Sequence, residues 1–532
     1  MKTFADFGNV PANVLINNNT NLFIIVFSPA YLCTTNLRNN QFLPLYIDIN
    51  TIMKNQILPY SYDRSNLSTG ILHIGVGNFH RAHEEFYTNL LLADPSQNGW
   101  AICGAMLMPQ DKALYEALKS QKGEYTLTVC GRDGNDEAYA IGSLTELIWA
   151  GENPEAIIEK IADPATKIIT LTITEGGYNT DRATGAFMLD TPAVSTDLKR
   201  PAVPTTAFGF IAEGLRRRME RSGAPVTILS CDNLQHNGNT ARRAFMTFFE
   251  AQDPALAEWA KTNVTFPNSM VDRITPATRP EDIKRLNEMN GTDDKAPVYC
   301  EDFIQWVIED KFAAGRPAWE KVGVEFTDDV TAYENMKLSL LNASHTLLSY
   351  PSFLAGYRKV DAAMHDERIV RLVREFMDTD ITPFVPAPGD TDLALYKQTL
   401  IERFANRSVS DQVARLCFDG ISKFPVYIMP NLIKMLSDGK ADLSRVAYLF
   451  AAYRHYLKFH TDDNGENFEI AEPWMTEADK ALISSDNPVD FLGLSAFTAT
   501  DLSKEEKFVG LYLEMCKAIA ERGAMPVLES IL

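Results

Sequence analysis

The stretch "GILHIGVGNFHRAHEEF", residues 70–86, decides the architecture. Its first half is a short run of Ile, Leu and Val that ends in Gly75 and Gly77, and helical periodicity takes over from Phe79. Strand, glycine turn and helix form the arrangement that receives a nucleotide pyrophosphate. Glycines let the backbone come close, and the helix start offers free N–H groups and positive dipole. Gly75, Gly77, Asn78 and Phe79 are therefore the candidate cofactor-binding residues. His80 stands where the dinucleotide fingerprint has its third glycine, so a plain β–α turn is the competing reading.

The same alternation continues outward. "WAICGAML" (100–107), "TKIITLTIT" (166–174) and "APVTILSC" (224–231) read as buried strands. "FHRAHEEFYTNLLLA" (79–93) and "DKALYEALKSQ" (111–121) read as helices. This predicts an α/β fold with a doubly wound, mostly parallel sheet, a Rossmann-type nucleotide-binding domain over 53–328. Beyond 330 strand signals nearly vanish. "DERIVRLVREFMD", "TDLALYKQTLIERFA", "SDQVARLCFDGI", "DLSRVAYLFAAYRHYLKF" and "KEEKFVGLYLEMCKAIAERG" read as amphipathic helices, which predicts a mainly α-helical C-terminal domain over 329–532.

Residues 1–52 are rich in Asn and Thr and read as an accessory N-terminal extension, with Met53 resembling a start. Its apolar run "LFIIVF" is too short to span a membrane. A secretory signal would want more basic residues before that run and a small-residue cleavage site after it.

The chain of 532 residues has a formal charge of −20, which argues against a nucleic-acid or anionic-membrane surface as partner. Its seven cysteines are scattered and odd in number, with no CxxC pair. That is a reduced, cytoplasmic pattern without a disulfide framework. A monomer or small homo-oligomer acting on a small molecule is expected.

An acidic residue after the second strand should hold the adenosine ribose. Asp111 is the nearest, and the only basic residue beside it is Lys112, so NAD is expected over NADP. His73, His80 and His83 raise the question of zinc. The expectation is that no cysteine or carboxylate stands at ligand spacing, and that no metal is bound.

A second stretch, "YENMKLSLLNASHTLLSYPSFLAG" (333–356), sets Glu334, Lys337, Asn342 and His345 into an apolar helix. At 100° per residue the four project within one face, which predicts a polar cleft lined by that stripe; a solvated surface face is the alternative. Burial disfavours an ammonium, so a lysine there can serve as a general base, with neighbouring amides donating to a developing alkoxide.

"GVGNFHRAH", "TITEGGY" (172–178), "SCDNLQHNG" (230–238), "FPNSMVDRITP" (266–276) and the Lys-x4-Asn-x2-His pattern of 337–345 together resemble the polyol-specific long-chain dehydrogenases, over roughly nine-tenths of the chain. The resemblance implies an NAD-dependent, metal-independent oxidoreductase converting D-mannitol and NAD to D-fructose and NADH. It further implies Lys337 as general base, Asn233 and Asn342 as oxyanion hole, His345 orienting the reacting oxygen, and Glu334 in a proton path to solvent. Asp272 and Arg415 match positions that hold sugar hydroxyls. Hexuronate reductases share the framework and are the alternative. A non-catalytic nucleotide sensor is the alternative from another class.

Overall fold

The computed structural model describes residues 55–181, 184–389 and 391–532. Of the preceding segment it describes four short strands, Val14–Asn18, Asn21–Ser28, Tyr31–Asn36 and Ile47–Asp48, paired antiparallel in that order. Met53, read above as a start, lies outside the described residues.

Six strands form the central sheet: β1 Thr69–Ile74, β2 Ala101–Met106, β3 Leu144–Trp149, β4 Ile168–Leu171, β5 Val226–Ser230 and β6 Val264–Thr265. They lie in the order β3-β2-β1-β4-β5-β6, and every neighbouring pair is parallel. This is the doubly wound dinucleotide-binding topology, whose order reverses between β1 and β4. The first, second, fourth and fifth strands are buried at every position, as strands covered on both faces must be, and so they read as unbroken apolar runs. One face packs on Pro154–Ala162, Ala207–Arg221 and Asn237–Gln252 through Ile158, Phe208, Leu215 and Phe245. The other packs on Glu84–Leu91 and on residues of two smaller sheets, through Phe86, Leu127 and Trp306.

The last strand is Glu325–Thr327, and the chain from Thr331 onward is helical with intervening loops. Ala343–Leu354, Ser444–Phe459 and Glu506–Arg522 carry a continuous apolar core that includes Leu347, Tyr350, Phe450, Tyr453 and Tyr512. Six described cysteines, 103, 130, 231, 300, 417 and 516, are unpaired and buried. Among the described residues no helix is long and apolar enough to cross a membrane.

Three helical expectations need correction. The helix predicted over 79–93 is two, Asn78–Ala82 and Glu84–Leu91, because His83 leaves helical geometry at φ −122°, ψ −84°. Its ring is drawn away to donate to a neighbouring strand: Nε2–H donates to the Gln305 carbonyl at 2.9 Å, with Phe79 stacked on the ring. "SDQVARLCFDGI" is helical only over Val413–Cys417 and again from Gly420. Asp419 turns left-handed between them (φ +56°), so that Gly420 and Ile421 donate their N–H groups to Glu472. Finally, Lys337–Asn342 is π-helical rather than α-helical. A run bonded i to i+5 winds more slowly, so Asn342 comes closer over Lys337 than 100° per residue places it.

Candidate active site

The carboxyl ends of β1, β4 and β5 meet at the point where strand order reverses. Gly75 follows β1 at φ +104°, and a Cβ there would lie 2.1 Å from the Thr172 carbonyl oxygen, so only glycine fits. Gly77 is different. Its φ is −117°, and a Cβ would meet nothing of the chain nearer than 3.7 Å, which leaves its small size to serve an approach from outside. Asn78 starts the helix and ties it to the loop after "VDR": Nδ2 donates to the Pro276 carbonyl (3.1 Å) and the Thr278 hydroxyl (3.2 Å). These residues fit a dinucleotide pyrophosphate. Phe79 is part-buried against His83. Asp111 lies half-buried five residues past the end of β2, where one carboxylate oxygen accepts the Met108 N–H at 2.9 Å.

Directly beneath Gly75, His73, His80, Glu84 and Glu85 are all buried together, so carboxylates do stand beside the histidines, contrary to the expectation. Glu84 approaches His73 Nδ1 at 3.2 Å and His80 Nε2 at 3.6 Å, and Glu85 approaches His80 Nδ1 at 2.9 Å. The two imidazoles stack nearly parallel with centroids 3.3 Å apart. Ligand atoms of His73, His80 and Glu84 lie within 4.8 Å of one another, but two rings in near-parallel planes cannot both aim their in-plane lone pairs at one ion. Burial holds His80 far below the usual imidazole range and pushes Glu85 up to about 7, so below that pH a neutral carboxyl faces a neutral ring. His73 also bonds Thr170 and Thr172, which locks β1 to β4 under the glycine turn.

Across the sheet end, the helical domain brings in Lys337, 7% exposed. Its Nζ donates to Asn233 Oδ1 at 2.6 Å and to the Val271 carbonyl at 2.7 Å. Burial pushes the amine below the ordinary lysine range, with Asp272 opposing and Arg403 assisting. A neutral amine has two hydrogens, and both find an acceptor here, so its lone pair is left for the cleft. The same bond fixes Asn233: with Oδ1 on the lysine, its NH₂ is turned away. The Asn233 and Asn342 side chains both reach the hydroxyl of Tyr427, whose own acidity burial suppresses to about 12. Asn342 Oδ1 is buried without a partner in the chain, a polar position available to a bound molecule.

Glu334 is buried on the other side of Lys337, accepts the His236 backbone N–H at 3.0 Å, and is pushed up to about 7 by burial. Asp232 accepts the N–H groups of Ile173 and Thr174. It thereby holds Thr174 at φ +66°, ψ 165°, a strained conformation for a β-branched residue, and so presents Glu175 at the edge of the site.

Asp272 is buried with both oxygens on Arg403 at 2.9 Å, and Arg403 binds Glu301 with the same two-pronged geometry at 2.8 Å. Asp272 and Glu301 come from the nucleotide-binding half and Arg403 from helix Leu393–Phe404, so this triad joins the two halves behind Lys337. His345 packs on Phe404 (4.3 Å) and is kept neutral, near pKa 3, by burial and by Arg415. Arg415 pairs with Asp411. Lys423, lowered to about 8 by burial and Arg415, donates to the Leu416 carbonyl beside it.

Asn233, Glu334 and Lys337 thus line one small pocket, Asn342 meets Asn233 at the Tyr427 hydroxyl, and charge interactions link Asp272 to Lys337 and His345, and His345 to Arg415. Asp111 stands apart at the β2 end. Sequence reading missed Arg403, Lys423 and Tyr427. Arg403 sits in an ordinary amphipathic helix, and nothing local marks its two carboxylate partners more than 100 residues away. Tyr427 lies in a second π-helical run, Phe424–Ile428, that packs on the first.

The sequence matches the mannitol dehydrogenase Rossmann domain over residues 69–321 and the mannitol dehydrogenase C-terminal domain over 329–520. It is 41% identical over 467 residues to a polyol:NADP oxidoreductase of Gluconobacter oxydans (strain 621H), covering 87% of this chain and 95% of that one. Two solved structures superpose closely. One is the Pseudomonas fluorescens mannitol 2-dehydrogenase ternary complex with NAD and D-mannitol, at TM-score 0.81 and 40% identity, covering 90% of this chain and 98% of that chain. The other is a D-sorbitol dehydrogenase in substrate-free form, at TM-score 0.83 and 39% identity, with the same coverage.

Proposed function

This chain belongs to the mannitol dehydrogenase family, and from that premise we propose that it interconverts D-mannitol and D-fructose with NAD, without a metal. The observation that carries the proposal is the buried Lys337, pushed below the ordinary lysine range by burial, donating to Asn233 and the Val271 carbonyl and lining a small pocket. Bound NAD supplies the acceptor for the carbinol hydrogen and its electron pair. Gly75, Gly77, Asn78 and Phe79 would hold its pyrophosphate end and Asp111 its ribose. Lys337 takes the hydroxyl proton as general base, and Asn233 and Asn342 donate to the oxygen as it becomes alkoxide and then carbonyl. His345, neutral at working pH, hydrogen-bonds and orients that oxygen. Asp272 and Arg415 would pair with the remaining hydroxyls, and Glu334 would carry the proton outward.

NAD is preferred because Asp111 and Lys112 are the only charged residues in the loop after β2. A cytoplasmic location is proposed from the buried, unpaired cysteines, and the oligomeric state is proposed as monomer or small homo-oligomer. A second reading, reduction of a hexuronate, is favoured by one observation: Arg415 and Lys423 both act on His345 as cations. The test is oxidation of NADH and of NADPH, followed by absorbance, with fructose, xylulose, fructuronate and tagaturonate. Fructose with NADH far above the rest is the expected result. Activity confined to a uronate replaces the polyol reading with the second one, and faster turnover with NADPH overturns the cofactor assignment.

A further inference from the structure

Oxidation of a secondary alcohol by NAD releases one proton for each turnover, and Lys337, buried at 7% exposure, cannot hand it to bulk water directly. A pocket of about 20 Å³ opens beside it, lined by Asp232, Asn233, Ser269, Val271, Glu334 and Lys337 among others, with room for one water molecule. Glu334 therefore shares that pocket with the lysine. Its carboxylate is only 4% exposed, so it too lacks an outlet of its own.

The group next to it is His236. The imidazole Nδ1 lies 3.3 Å from Glu334 Oε2, and the His236 side chain is 38% exposed where Glu334 is 4%. The contact is not incidental to a loose loop. His236 is held left-handed at φ +49°, and its backbone N–H lies 3.0 and 3.2 Å from the two Glu334 oxygens. The next residue, Asn237, is fully buried. Its Nδ2 donates to the Ser230, Asp232 and Ser269 carbonyls, and its Oδ1 accepts the N–H groups of Gly238 and Ser269. An interior anchor on one side and a carboxylate on the other leave the imidazole one place to be.

We propose that His236 is the outer end of the proton path from Lys337, running through the small pocket and Glu334 to solvent. The inference rests on the dehydrogenase reading above and extends it. In each turnover Lys337-NH₃⁺ gives its proton into the pocket, and Glu334 receives one on a carboxylate oxygen. The carboxyl passes it to Nδ1 of His236, and Nε2 releases one to water; the ring, left as its Nδ1–H tautomer, regains the starting one by rotating or by proton exchange with solvent, which its 38% exposure allows. The charged groups facing Glu334 are Glu309, Asp329, Lys337 and His236, and Glu309 is itself paired with Lys311 at 2.9 Å. Burial pushes the Glu334 carboxyl up to about 7, so near neutral pH it can both take up and give up a proton.

His236→Asn tests the path. Asparagine tolerates the left-handed backbone and keeps the N–H that Glu334 accepts, but cannot relay a proton. Polyol oxidation is measured in dilute buffer of low proton-carrying capacity and again with increasing imidazole. The expected result is a fall in kcat of about one to two powers of ten, recovered by imidazole, with the polyol KM and NADH binding unchanged and the parent enzyme indifferent to imidazole. His236→Gly, at ease at φ +49° and with space for the rescuing imidazole, is the second variant should the first fold poorly. Turnover by either folded variant at the parent rate in dilute buffer overturns the path, and so does a loss that imidazole leaves uncorrected. A parent enzyme inactive on every polyol overturns the dehydrogenase reading instead.

Discussion

The cleft around Lys337 and the cluster beneath Gly75 share their material, imidazoles and carboxylates taken out of water at the end of one sheet, and the cleft adds an amine. They differ in what was done with the charge. Under Gly75 burial works against charge on two groups, holding His80 neutral and keeping Glu85 protonated up to about pH 7, closed in between β1 and the helices after it. Around Lys337 full charge is kept at the back, where Arg403 binds two carboxylates by both prongs, and is suppressed only at the front, on the lysine itself. Burial of a polar group is thus no sign of chemistry. What marks the chemical site is a buried group with a pocket beside it, as at Lys337.

The sharpest way to break the comparison is to remove one amine. Lys337→Met keeps the stem and loses the base, so kcat/KM for polyol oxidation should fall by at least about 10²–10⁴-fold. NADH binding, read by its fluorescence, should survive, and stability to urea should hold or rise, because an under-compensated buried amine has gone. Stability lost in parallel with rate would make Lys337 a structural residue. Next in size is Arg403→Met. It leaves Asp272 and Glu301 buried without their cation, and a buried pair broken on one side costs about 3–5 kcal/mol. Urea unfolding should show that loss. A change within about 0.5 kcal/mol, the range of an ordinary surface substitution, would mean that the two halves are held by apolar packing alone.

That contrast also explains what the sequence could disclose. The sheet was legible from "GILHIGVG" and its counterparts because strands buried on both faces write an unbroken apolar run, and glycine at φ +104° has no substitute. The Lys337 stripe was legible because a lysine, an amide and an imidazole have no other reason to share an apolar helix. Its winding was not: nothing in "KLSLLN" announces i to i+5 bonding, which here comes from packing against Phe424–Ile428. Arg403 was invisible for the opposite reason to Lys337, since its partners Asp272 and Glu301 lie far away in the chain and meet it only in the fold. The left-handed turn at Asp419 was hidden too. It answers to Glu472, a residue 53 positions on — a demand made by tertiary structure and by no local signal.

The smallest effect probes the other side of the comparison. Glu85 accepts the Tyr125 hydroxyl on Oε2 and faces His80 Nδ1 with Oε1. If burial has raised it from an ordinary 4.5 to about 7, the folded protein binds a proton that the unfolded chain releases in that interval. The native state then holds more protons than the unfolded one between about pH 4.5 and 7, so this group's share of stability is present below that window and is lost as pH rises through it. Glu85→Gln is the neutral carboxyl made permanent: its carbonyl can accept from Tyr125 and its NH₂ can donate to His80. The variant should match the parent near pH 5 and exceed it by about 1–3 kcal/mol near pH 8. Glu334 and Glu472, also pushed up to about 7, titrate in the same window in both proteins and cancel in the difference. A difference that stays flat with pH would mean an ionised Glu85, and with it a protonated imidazole beneath Gly75. The cluster would then be a true ion pair, like the one Arg403 makes, and its loss on heating or at low pH should loosen the nucleotide turn before the helical half gives way.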